Sequence, residues 1–488
     1  MSQLNIQSLS HLPKHIRKPT YDVKSTGRGI VHLGPGAFHR AHQAVYTDLA
    51  MSASGGNWKI DGVSLRSRDL RDKLAIQDNL YSLVILDENP YIQAIAAFNN
   101  IFVLGDQREQ VMSSMCDALT HIISLTITEK GYCLDSAGEL DWSNSDIQKD
   151  KISPDKPVSA IGLLVAVLKE RKNSGADQLT IISCDNLSDN GTKLGKAVVA
   201  FAEAIEPALG EWIANNICFP NTMVDSITPA TSEELKQQTE KELGVEDALP
   251  IQREAFTQWV IEDNFSGPRP DWEKVGVTFT HDVYLYEKAK LRVLNGTHST
   301  LAYVGRLCDL ETVYQAISEP SFEAFIRKLL VTEILPSIGA TQEMDLAQYA
   351  DDILQRYHNQ HIRHYLSQIA WDGSQKLPFR ILNTIRDNLQ NKQSISLLCV
   401  PIAAWSLFIL KQHSQGQQLV DPLAPELLEL ANKYSTEPLA FVDEILNLKS
   451  VFAELSSNPH FCSQVKQHVV TLAKINKQNF SQILENLI

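Results

Sequence analysis

Residues 29–51 constrain the fold more than any other stretch of this 488-residue chain. Gly29-Ile30-Val31-His32-Leu33 is a short apolar run, Gly34-Pro35-Gly36 is a turn, and AFHRAHQAVYTDLAM has the periodicity of a helix. Strand, glycine turn and helix open a βαβ unit. Glycine there lets the chain turn sharply and lets its backbone approach a pyrophosphate, while the first helical N–H groups are free to meet an anion. The third glycine of a GxGxxG fingerprint is missing, because His39 stands in its place. A bare GxG also suits a plain strand-to-helix turn, so it is the N-terminal βαβ context that makes Gly34, Gly36, Ala37, Phe38 and His39 the candidate dinucleotide-binding residues.

Further apolar runs at 58–67, 81–86, 100–105, 121–128 and 179–186 alternate with helical stretches, which predicts a doubly wound, mostly parallel sheet. The pattern changes near residue 285. Beyond it come long amphipathic stretches, among them 289–308, 323–338, 346–370 and 395–412, and few alternating runs. The expected architecture is an α/β Rossmann-type N-terminal domain, 1–285, followed by a mostly α-helical C-terminal domain, 286–488. The polar segment 134–158 reads as a surface excursion, and the charge-rich run 232–247 as a solvated helix face.

If the first domain binds a dinucleotide, the end of its second strand selects the cofactor. Asp69 would take the ribose hydroxyls of NAD, whereas Arg66 or Arg68 would welcome the 2′-phosphate of NADP. The reading is NAD, with NADP left open. A net charge of −14 argues against nucleic acid as a partner. The N-terminus has no signal-peptide core, and no uninterrupted apolar run reaches bilayer-spanning length. The seven cysteines are scattered and form no CxxC pair, which fits a reducing cytoplasm.

The run Tyr286-Glu287-Lys288-Ala289-Lys290-Leu291-Arg292-Val293-Leu294-Asn295-Gly296-Thr297-His298 carries the most chemistry. On an α-helix, Lys290, Leu294 and His298 share one face with Asn295 beside it. A buried lysine loses solvation and titrates nearer neutrality, so Lys290 could take a hydroxyl proton as hydride leaves the same carbon. Asn295 could donate to the oxygen as charge develops, and His298 could orient the substrate. Asn186 closes an apolar strand at its carboxyl end, where ligands of open α/β sheets sit, and could be a second donor. Surface and capping roles compete with these readings on periodicity alone.

The stretches IVHLGPGAFHRAHQAVYTD, LTITEKGY, SCDNLSDNG, FPNTMVDSITPAT, VIEDNF, YEKAKLRVLNGTHSTLAYVG and QIAWDGSQKLPFR occur in that order along the chain. Together they resemble the polyol-specific long-chain dehydrogenases, the mannitol dehydrogenase and fructuronate reductase family. The resemblance implies a Rossmann-type domain, a helical domain and a cleft between them, with metal-free oxidation of a secondary alcohol or reduction of a ketone. It implies Lys290 as general base, Asn186 and Asn295 as the oxyanion site, and His298 and Asp225 as residues facing substrate. It links Glu287 to proton passage between Lys290 and solvent. Mannitol dehydrogenases tend to carry Asp at His364 and Arg at Gln368, so the stretch 361–380 looks like the fructuronate reductase version. His364 in place of Asp removes a negative charge, and Lys376 and Arg380 lie close in sequence, which would suit a carboxylate; the missing arginine at Gln368 cuts the other way. The expectation is NAD-dependent reduction of D-fructuronate to D-mannonate, with D-mannitol and D-fructose as the alternative pair. The partners expected are a small sugar acid or polyol, with no membrane, no metal, and a monomer or weak dimer.

Overall fold

The computed structural model describes residues 2–488 apart from 177, 340 and 342. The chain divides into two compact units, Met1–Tyr284 and Leu285–Ile488.

The first unit is built on a five-stranded parallel sheet. Its strands are β1 (Arg28–Leu33), β2 (Lys59–Ser64), β5 (Phe98–Val103), β6 (Ile122–Leu125) and β7 (Thr180–Ser183), in the spatial order β5-β2-β1-β6-β7. Both faces are covered, and the side chains show why. Val31, Leu33, Ile123, Leu125 and Ile181 belong to one apolar cluster, with residues of helices Ala160–Ser174 and Asn190–Ile205. Ile30, Ile60, Ile122 and Ile182, of opposite parity, belong to another, with Trp259 and Trp272. Strands buried on both faces read as continuous apolar runs, which is how they appear in the sequence. Strand order reverses between β1 and β6, so ligands are expected beyond the carboxyl ends of those two strands.

Two small sheets flank this one. β3 (Tyr81–Leu86) pairs antiparallel with β4 (Tyr91–Ile95) and parallel with β9 (Ile251–Glu254). β10 (Gln258–Glu262) joins β8 (Thr222–Asp225) and β11 (Thr278–Thr280). The run 81–86 is therefore a strand as expected but outside the main sheet, because strand propensity does not name a partner. The helix expected over 37–51 is two helices, Ala37–Ala41 and Gln43–Ser54, broken at His42 (φ −125°, ψ −88°).

The segment 134–158 departs from the surface excursion expected. It contains helix Ser145–Ile152, capped by the Asn144 side chain, and it buries Ile147 and Asp150 completely. The Asp150 carboxylate accepts from Val158 N (2.6 Å), Ser159 N (2.9 Å) and Ser159 Oγ (2.5 Å) and so organises the entry to helix Ala160–Ser174. A buried carboxylate needs such donors, and here the chain supplies them within nine residues. Helix Glu233–Leu243 buries only Thr239 and Leu243, as a solvated helix face should.

The second unit is helical. Its centre is Ser396–Ser414, of which 14 residues are buried. This is the one helix among the described residues long and apolar enough to cross a bilayer, and 78% of its apolar window is buried within the protein. It passes the length test that the bare sequence did not trigger because Ser396, Ser406 and Pro401 interrupt the apolar run. Glu333 holds its start, accepting from Leu397 N (3.1 Å), Leu398 N (2.8 Å) and Ser394 Oγ (2.5 Å).

Candidate active site

In the first unit a pocket of about 770 Å³ opens beyond the carboxyl ends of β1, β2 and β6. Gly34, Pro35 and Gly36 line it after β1, Ser64 to Ser67 and Asp69 after β2, and Thr126 to Thr128 after β6. Gly34 is obligatory. Its φ is +83°, and a Cβ there would lie 2.2 Å from the carbonyl oxygen of Thr126. Gly36 differs: it is exposed, and a Cβ would meet nothing nearer than 3.8 Å. No protein group fills the space that its missing side chain leaves, so the turn offers bare backbone to an incoming ligand.

A hydrogen-bonded chain holds this turn from behind. Thr126 Oγ1 donates to Gly34 O (2.7 Å), so it accepts from His32 Nε2 (2.9 Å), and His32 Nδ1 accepts from Ser124 Oγ (2.8 Å). This arrangement requires neutral His32, and complete burial pushes its pKa down to about 3. His39 stacks on His32 with ring centroids 3.4 Å apart. Its ring is buried behind the turn and has no hydrogen-bond partner among the described residues, and burial first, then His32, Arg40 and His42 beside it, drives its pKa well below the usual range. Among the expected cofactor residues, Gly34, Gly36, Arg66 and Asp69 line the pocket; Ala37, Phe38 and His39 are outside its lining.

Charges around the pocket are unevenly committed. Arg68 pairs with Asp106 (2.5 Å) and Asp69 with Lys73 (2.8 Å), whereas Arg66 has no ion pair among the described residues. Sequence reading missed Lys130, Asn144, Asp146 and Ser159, which also line the pocket. Asn144 and Ser159 are helix N-caps, so Asn and Ser just ahead of helical runs were the available signal.

Asn186 lies on the exposed loop after β7. Its neighbour Asp185 ties that loop to the one after β6, accepting from Ile127 N (2.9 Å), Thr128 N (3.0 Å) and Tyr132 Oη (2.6 Å). Asp225 is buried at the end of β8. Asn190 ties the loop after β7 to β8 by donating to Asp185 O (3.1 Å) and Thr222 O (3.0 Å).

In the second unit, the lysine-bearing run is not the regular α-helix expected. Helix Val283–Ala289 passes into a π turn, Lys290–Asn295, and α geometry resumes over Gly296–Leu307. Gly296 N donates to Leu291 O, five residues back. In an α-helix residues five apart diverge by about 140°. The i→i+5 pitch of a π turn swings them toward one face, and such turns concentrate at functional sites. Asn295 therefore comes round toward the side of Lys290, a juxtaposition that α periodicity does not provide. Lys290 and Glu287 are both buried, 8% and 9% exposed.

His298 follows one turn later, 6% exposed. Its ring meets His364 edge-on at 4.9 Å and Tyr357 at 4.7 Å. Burial first, then His364, Arg356 and Arg380, drives His298 well below the usual histidine range. Burial with the same two arginines brings His364 down to about 4. Both rings are thus neutral near pH 7, and each has a buried nitrogen, His298 Nε2 and His364 Nδ1, with no hydrogen-bond partner among the described residues.

Arg380 belongs to the same cluster. It sits in a second π turn, Pro378–Leu382, packed on the first, and donates from Nη1 to Ser299 Oγ (3.2 Å). Burial pulls its pKa below the usual guanidinium value, and no carboxylate pairs with it among the described residues. Lys376, by contrast, lies 3.7 Å from Asp372. Gln368 is exposed on the short helix Leu366–Ile369. Arg356 and Tyr357, at the end of helix Leu346–Tyr357, were not singled out in the sequence. They come from a segment some 60 residues away, beyond the reach of any local periodicity.

Comparison with known proteins identifies the family to which these two units belong. The Mannitol dehydrogenase Rossmann domain model matches residues 28–274, and the Mannitol dehydrogenase C-terminal domain model matches 282–473. The chain is 39% identical over 465 residues to D-mannonate oxidoreductase of Escherichia coli K12, covering 93% of this chain and 95% of that one. It is 40% identical over 463 residues to the uncharacterized oxidoreductase YeiQ of the same organism, covering 93% and 94%. Among solved structures, Pseudomonas fluorescens mannitol 2-dehydrogenase, in a ternary complex with NAD and D-mannitol, superposes with a TM-score of 0.83 at 34% identity over 99% of both chains. The chain belongs to the mannitol dehydrogenase family, as an oxidoreductase with that family's Rossmann and C-terminal domains.

Proposed function

We propose that this protein reduces the ketone of D-fructuronate to D-mannonate, reversibly, with NAD as its cofactor. The observation that carries the choice of a sugar acid is Arg380. A guanidinium withdrawn from water without a carboxylate partner is costly, and a carboxylate on the substrate would supply the missing counter-charge. His298 and His364, being neutral, cannot supply that positive charge, and Lys376 shares its own with Asp372. The 39% identity to a D-mannonate oxidoreductase points the same way.

On this reading residues 1–285 bind the dinucleotide and 286–488 supply substrate binding and catalysis. Gly36 would leave room for the pyrophosphate, with Gly34 shaping the turn and Ala37, Phe38 and His39 opening the helix that follows it, and Asp69 would take the ribose hydroxyls. The bound cofactor supplies the hydride. Lys290 donates a proton to the ketone oxygen in reduction and takes it back in oxidation, which removes any need for a metal. Asn295 and Asn186 donate hydrogen bonds to that oxygen as charge builds. Asp225, His298, His364 and Gln368 would contact the hydroxyls, Arg380 and Lys376 the carboxylate, and Glu287 would pass protons between Lys290 and solvent.

The neutral His298–His364 wall also suits an uncharged polyol, which keeps D-mannitol and D-fructose as the second reading. Initial rates with D-fructuronate and D-fructose, each with NADH and NADPH, separate the two. We expect kcat/KM at least about tenfold higher for D-fructuronate, which corresponds to about 1.4 kcal/mol in the transition state. A preference of that size for D-fructose would overturn the choice.

A further inference from the structure

The π turn that carries Lys290 and Asn295 needs something to hold it, because the same residues could instead run on as a regular α-helix. The described contacts reach it from three sides. On one, Arg292, 6% exposed, donates to Asp387 Oδ2 (2.6 Å) and to Ser337 O (3.0 Å). On the second, Gly296 meets the other π turn so closely that a Cβ would lie 3.0 Å from Arg380 O.

On the third, two hydroxyls converge where the π turn ends. Tyr357 Oη donates to Leu294 O (2.9 Å), the carbonyl immediately before Asn295. Thr297 Oγ1 lies 2.5 Å from Val293 O, 3.2 Å from Leu294 O and 2.7 Å from Tyr357 Oη. All of these groups are buried, so water cannot replace a lost bond cheaply.

We infer that Tyr357, acting with Thr297, is a positioning residue that holds the π turn and so keeps Asn295 turned toward the side of Lys290. Tyr357 does its work through the backbone of Leu294, while its ring packs on His298. The hydroxyl is separable from the ring: Tyr357→Phe keeps the ring against His298 and removes the bond to Leu294 O together with the contact to Thr297 Oγ1. In the same way Thr297→Ser keeps a hydroxyl, and Thr297→Val keeps the shape without one. The inference rests on the proposed roles of Lys290 and Asn295, and its test must therefore include a readout that needs no substrate.

The experiment pairs amide hydrogen exchange of peptides spanning 290–296 with steady-state kinetics, on the full-length protein. Tyr357→Phe and Thr297→Val should each speed exchange in that segment at least about fivefold. Each should lower kcat about tenfold while KM and the Kd for NADH stay within about twofold, and Thr297→Ser should behave like the parent in every measurement. Unchanged exchange over 290–296 in Tyr357→Phe overturns the inference. So does faster exchange with unchanged kcat, or a KM that rises about tenfold while kcat stays unchanged. Should the parent protein turn over no ketone at all, the proposed function fails, while hydrogen exchange still decides whether Tyr357 holds the turn.

Discussion

Replacing Arg380 by leucine isolates the charge on which the sugar-acid reading turns. The guanidinium is half-buried, has one hydrogen bond to Ser299, and lacks a carboxylate among the described residues. A hydrogen bond to a charged group contributes about 1.5–3 kcal/mol, and a guanidinium fork can make two to one carboxylate. Partial exposure weakens both bonds, so a net loss of about 3 kcal/mol is a fair central figure, or roughly a hundredfold in kcat/KM for D-fructuronate. D-Fructose has no carboxylate, and its kcat/KM should stay within about threefold. Stability should move in the opposite sense from an ordinary broken ion pair. Removing a half-buried cation that has no carboxylate partner relieves a cost, so the thermal midpoint should hold or rise. Initial rates of NADH oxidation with both ketones, and a thermal melt, give all three numbers. Equal losses on the two substrates, or an unimpaired rate with the uronate, would refute the reasoning.

Gly34→Ala should raise the Kd for NADH more than about tenfold by fluorescence titration, because a Cβ 2.2 Å from Thr126 O forces the turn open at a φ of +83°; normal NADH affinity would contradict the placement of the turn. His364 should make stability pH-dependent on the acid side. Its folded pKa of about 4 lies below the ordinary value of 6.5, so between them the unfolded chain takes up a proton that the native state refuses. Stability therefore falls as pH drops through that window, by up to about 3 kcal/mol from this residue. Urea unfolding of His364→Asn at about pH 7 and about pH 4.5 should show a smaller acid loss than the parent; identical losses would count against a neutral buried ring.

How much was legible in the sequence varies with how local the signal is. The five strands of the main sheet showed themselves because strands buried on both faces leave runs such as Ile30-Val31-His32-Leu33 and Ile181-Ile182, which need no partner to be recognised. The assignment of 81–86 to that sheet failed because pairing with β4 and β9 is a choice between distant segments. Lys290, Asn295 and His298 stood out as a constellation, but their geometry did not. One π turn changes the phase of a helix without changing any residue's propensity, so only the backbone reveals that Asn295 swings toward Lys290. Arg356 and Tyr357 were invisible for a related reason, since nothing near 350–360 hints that this helix ends against Leu294 and His298. The polar composition of 134–158 hid a structural carboxylate, Asp150, whose burial depends on donors that only the fold brings together.

The amine at position 290 carries the proton in the proposed reaction. Lys290→Ala should lower kcat with D-fructuronate and NADH by at least about a thousandfold, within the range a positioned acid–base group contributes, while the Kd for NADH stays within a few fold. Turnover that survives the substitution would show that another group moves the proton.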